Sequence, residues 1–133
     1  MKTILNLSFL PQSTDLGLLL LRLCLGMTML FNHGWSKVQN FQSVAPKFFP
    51  VIIDSQVSLG LAVFAEVICA GLLIIGIFTR FCSLMLVITM AVAFFMFHHM
   101  DFSDKSAELA FLYLVGFSTL TLAGAGKYSA DRV

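Results

Sequence analysis

Four stretches of this 133-residue chain are almost wholly apolar, and the polar residues gather between them. They cover about 16–35, 57–78, 80–98 and 107–123, each long enough to cross a hydrocarbon core of roughly 30 Å at about 1.5 Å per residue. Pro11, Pro46 and Pro50 all lie outside these runs, as unbroken helices require. Ser13, Thr14 or Asp15 can cap the first helix and Asp104 or Ser106 the fourth, while Gly124 and Gly126 end it. The link at 77–80 is so short that the second and third helices must be antiparallel neighbours. Residues 1–11 are interrupted by Asn6, Ser8 and Pro11 and carry no small-x-small cleavage site, which predicts an interfacial segment followed by an uncleaved anchor. The expected fold is all-α: an antiparallel four-helix integral membrane bundle, one domain over residues 1–133. No internal repeat is visible.

Composition strengthens this reading. Hydrophobic residues make up 59% of the chain and charged ones 11%, too few to clothe a soluble domain of this size. The net charge of +1 gives no case for a nucleic-acid partner. Cys24, Cys69 and Cys82 fall inside apolar runs without a C-x-x-C pair, so they read as small buried hydrophobes. A thiol pair between Cys24 and Cys69, at similar predicted depth, is the alternative. Lys2, Arg80, Lys127 and Arg132 fall on one side of the membrane. Lys37, Lys47 and Lys105 share the other with Asp54, Asp101, Asp104 and Glu108. The positive-inside rule then predicts cytoplasmic termini, with the 36–56 connection facing outward as a lid or an interfacial filler.

Charges inside the apolar runs are the main chemical signal. Arg22 interrupts the first run and Glu66 the second. A charge at mid-membrane costs on the order of 2.5–3.5 kcal/mol on the insertion scale and persists only when something answers it. Arg22, Gly26, Met29, His33 and Lys37 recur at helical spacing on one face, which should point into the bundle. Counting helical rises separates Arg22 from Glu66 by about 9 Å in height, within the combined reach of their side chains, so the two are expected to pair. His33, His98 and Glu108 gather by the same count toward the outer side.

The site expected from this convergence is a pocket lined by Arg22, His33, Glu66, His98 and Glu108. Its apolar walls would suit a quinone headgroup or a similar polar-aromatic ligand. Each element also has a purely structural explanation. Arg22 and Glu66 can be an internal strut, Glu108 can serve the helix dipole, and Lys37 and Trp35 can anchor at the interface. His33, His98, Glu66 and Glu108 are metal-ligand types, but no H-x-x-x-H or E-x-x-H spacing occurs, so no metal is predicted.

These residues resemble the DoxX family of small membrane proteins over nearly the whole chain. The likeness rests on LLLRLCLGMTMLFNHGWSKV, AEVICAGLLIIGIFTRFCSL, SAELAFLYL and the terminal GAGKYSADR, where Ala130 replaces a commoner larger aliphatic. The resemblance implies a four-helix membrane fold in a bacterial-type inner membrane. It also implies a role beside membrane oxidoreductases, either quinone-linked or acting on thiol and sulfur compounds. The cofactor is open, with quinone one possibility, and so is any activity of the chain alone. A partner protein or homo-oligomer is expected within the lipid bilayer. The competing readings are a non-catalytic anchor or assembly factor, and a small-molecule permease.

Overall fold

The computed structural model describes residues 2–44, 55–97 and 99–131. Its four long helices span Thr14–Gln39, Gln56–Ile75, Thr79–Met96 and Lys105–Ala123, each long and apolar enough to cross a membrane. The four expected spans are therefore present. The first runs four residues past its expected end because polar Ser36, Lys37 and Gln39 continue the helix beyond Trp35. Before it lies a short helix, Lys2–Leu5, followed by exposed Leu7, Phe9 and Leu10, the composition of an interfacial segment.

Local chemistry sets the helix ends. Ser13 adopts extended backbone, and its hydroxyl accepts from the Leu16 N–H at 3.1 Å. Asp104 does the same for the fourth helix through the Ser106 N–H at 2.9 Å. Gly76, at φ 88°, takes the left-handed conformation that ends the second helix, and its N–H donates to Leu72 O. Only Gly76, Ile77 and Phe78 separate the second and third helices, which pack antiparallel as predicted. We call the side holding this turn and Ser13 the near side, and the opposite one the far side.

The inner surface is made of small and apolar residues. Leu18, Met29, Ala65, Cys69, Ala70, Leu73, Cys82, Leu86, Met90, Tyr113, Phe117 and Leu120 form one core, and Phe94 with Ala107 and Ala110 forms a second. Small residues let the backbones approach, which matters in lipid because helix association there depends on close packing. Leu20, Phe31, Ile68, Leu112 and Leu122 point outward, the apolar belt of a bilayer-embedded bundle.

Three short π-helical turns interrupt the spans, at Met29–Gly34, Phe64–Cys69 and Val92–Phe97. Such turns are rare and concentrate at functional sites, since the extra residue re-aims the side chains around it. Here the first carries His33 and the second carries Glu66.

Candidate functional site

The near-side end is organised around Arg22. Its side chain is buried, and the predicted inward face is confirmed by burial of Gly26 and Met29 on the same stripe. The guanidinium does not reach Glu66. Nη1 donates to Ala125 O at 2.7 Å and Nη2 to Tyr128 O at 2.6 Å, both carbonyls in the segment that follows the fourth helix. That segment is strapped across the other helices. The Asp131 N–H donates to Gly76 O at 2.9 Å, and its carboxylate accepts from the N–H groups of Phe78 and Thr79, each at 2.8 Å. The Lys127 N–H donates to Asp15 Oδ1 at 3.0 Å. Desolvation pushes the Asp131 carboxyl up, but the Thr79 and Phe78 N–H groups and the Arg22 charge outweigh it and hold the group below the ordinary carboxylate range.

Glu66 finds its partner on the far-side half. Lys37 Nζ donates to Oε1 at 2.7 Å and to Oε2 at 2.6 Å. The Glu66 side chain is 2% exposed and that of Lys37 25%, so the lysine reaches inward from the rim to a buried acid. Gly34 makes this possible. A Cβ there would lie 2.7 Å from Glu66 O, so the first and second spans touch backbone to backbone, and Lys37 stands one turn further on. His33 is half-buried, within electrostatic reach of both Glu66 and Lys37. Its ring meets Tyr113 edge-on, with centroids 5.4 Å apart.

The expected Arg22–Glu66 pair is thus corrected to two separate systems. Each group binds the nearer partner: Arg22 the returning segment below it, Glu66 the lysine above it. Glu108 stays exposed in the first turn of the fourth helix, in keeping with its dipole-favoured position, and among the described residues it joins no acid–histidine cluster. His98 and residues 45–54 of the 36–56 connection lie outside the described residues. Cys24 is exposed to the lipid side and does not meet Cys69, which shares the core with Cys82 instead. Among the described residues no three His, Cys, Asp or Glu side chains are grouped to hold a metal ion. An open groove of about 460 Å³ runs along Val38–Ser43 at the far end of the first span and is lined by none of the predicted site residues.

The sequence puts Lys37 on the inward-pointing stripe but equally allows it as an interfacial anchor, and it gives no role to Tyr113 or the terminal carbonyls. The signal for Lys37 was present, because its spacing from Arg22 and His33 puts it on the buried stripe. No sequence pattern announces that backbone carbonyls will serve Arg22.

Fold and site together define a small polytopic membrane protein, an antiparallel four-helix bundle with a buried cation held at one end and a buried ion pair in the other half. The DoxX family model matches residues 17–99, and the chain belongs to the DoxX family. The match contains Arg22, His33, Lys37 and Glu66. The chain is also similar to an uncharacterized protein of Haemophilus influenzae, 32% identical over 128 residues that cover 90% of this chain and 84% of that protein. No solved structure matches it.

Proposed function

We propose that this DoxX-family protein acts as a single-domain membrane subunit of an oxidoreductase system, quinone-linked or handling thiol and sulfur compounds, and binds a small polar-aromatic ligand at its far-side cluster. The observation that carries the reading is the buried Lys37–Glu66 pair beside His33. Buried charge is expensive within a bilayer, and functional sites are where it is usually retained. The π-helical turns under His33 and Glu66 support the same reading. In this proposal Lys37 and His33 donate hydrogen bonds to ring oxygens, Glu66 holds Lys37 in place for this, and Arg22 closes the near-side end of the bundle. His98 and Glu108 are secondary candidates at the rim. The protein sits in the inner membrane with both termini cytoplasmic, in line with the lysine and arginine placement, and works with a partner protein or a second copy.

A second reading has its own support. Both Glu66 oxygens are satisfied by Lys37, which suits a strut in a non-catalytic anchor or assembly factor.

Purification from native membranes in mild detergent, followed by extraction of bound quinone and identification of co-eluting proteins, separates the two. The oxidoreductase reading expects quinone to travel with the wild-type protein and to be depleted in a folded Glu66→Gln variant. Equal quinone in both, or none beyond the detergent blank, favours the strut. Labelling of a cysteine placed at Gln42 tests orientation, since reaction from the cytoplasmic side contradicts it.

A further inference from the structure

Tyr113 lies on the fourth span about 12 Å below its far-side start, counted at the helical rise, and is only 6% exposed. Its ring stacks on Phe117 with centroids 5.8 Å apart and meets the His33 ring edge-on at 5.4 Å, so the phenol and the imidazole are direct neighbours. Among the described residues neither the Tyr113 hydroxyl nor the His33 ring nitrogens make a hydrogen bond. Neighbouring polar side chains are satisfied. Ser118 donates to Leu114 O, Thr121 to Phe117 O, and Glu66 accepts twice from Lys37.

The Tyr113 hydroxyl is not fully enclosed, and a phenol at membrane depth gains from a hydrogen-bonding partner. The satisfied Lys37–Glu66 pair and the open His33–Tyr113 pair therefore play different parts. A phenol offers one donor, and a neutral imidazole offers one donor and one acceptor. Phe117 and Met29, both fully buried, belong to the same core as Tyr113 and provide an apolar wall.

We infer that the Tyr113 hydroxyl and the His33 imidazole form a two-point hydrogen-bonding receptor for a carbonyl oxygen borne on an aromatic or quinonoid ring, between the first and fourth helices. This rests on the reading of the far-side cluster as a ligand site and adds a contact residue to it. Tyr113 donates to the ring oxygen and fixes the ring's orientation, while His33 holds the same oxygen from the other side. The family match ends at residue 99, so Tyr113 lies beyond it.

The test uses the full chain in mild detergent, titrated with a benzoquinone carrying one isoprenoid unit. Quenching of Trp35, the chain's single tryptophan and two residues from His33, reports binding. Saturable quenching is expected for the wild type. Tyr113→Phe keeps the ring and removes only the donor, so it should bind roughly five- to tenfold more weakly, the factor that one lost hydrogen bond carries. Its melting temperature should be unchanged or slightly raised, since an unmet hydroxyl has gone. The matching dimethoxybenzene, which lacks carbonyl oxygens, should bind wild type and Tyr113→Phe alike. Wild-type affinity in Tyr113→Phe, with weaker binding in Glu66→Gln and His33→Gln, overturns the role of Tyr113 and leaves the ligand site standing. Quenching that is merely linear in quinone, or equal in all variants, overturns both.

Discussion

A guanidinium inside a membrane needs several acceptors at once, and Arg22 takes two of them from backbone carbonyls, Ala125 O and Tyr128 O. Its planar fork suits two acceptors that diverge, whereas an ammonium is a single point. Arg22→Lys should therefore lose one carbonyl contact and roughly 1.5–3 kcal/mol, the range for a hydrogen bond to a charged group. The expected readouts are a lower unfolding midpoint in detergent and faster proteolysis within residues 124–131. That Arg22 and Glu66 would both be buried was legible in the sequence, because lipid satisfies neither. Their partners were not. Pairing depended on a segment that leaves the fourth helix and returns to the first, and on a lysine that turns inward rather than toward headgroups.

Close backbone approach at Gly34 and the strap at Asp131 are features of whole elements. Gly34→Ala places a methyl 2.7 Å from Glu66 O, an obstacle of backbone that cannot rotate away. Forcing the first and second spans apart should cost about 1–3 kcal/mol, as overpacking does elsewhere, and should loosen the Lys37–Glu66 contact. Gly26→Ala meets chiefly the Ile74 side chain, which can move, so its loss of stability should be the smaller of the two. Comparing the two unfolding midpoints checks this order. At the near side, Asp131 is held below its ordinary range when folded. Its contribution is full above the unfolded value of about 3.9 and fades as pH falls through the lower folded value. Asp131→Asn should flatten that acid limb of the midpoint-versus-pH curve, most visibly below about pH 4. The four spans, their caps and the tight 77–80 link could all be read from apolar run length and cap residues. The π-helical turns could not, since no residue type marks them.

As a whole molecule, the protein keeps its buried charges in two systems. In the near one, a strap from the end of the chain ties together Arg22, the turn between the second and third helices, and Asp15. In the far one, Lys37, Glu66, His33 and Tyr113 join the first, second and fourth helices. The central claim is that Glu66 depends on Lys37 and not on Arg22. Unfolding free energies measured together for Lys37→Met, Glu66→Gln, Arg22→Met and the doubles Lys37→Met/Glu66→Gln and Arg22→Met/Glu66→Gln test it directly. Removing Lys37 alone should cost about 3–5 kcal/mol, since it strands a buried acid, and most of that should be recovered when Glu66 is neutralised as well. The Arg22 and Glu66 losses should add to within about 0.5 kcal/mol, as for distant sites without a shared partner. Strong coupling between Arg22 and Glu66, with additive losses for Lys37 and Glu66, would contradict the account.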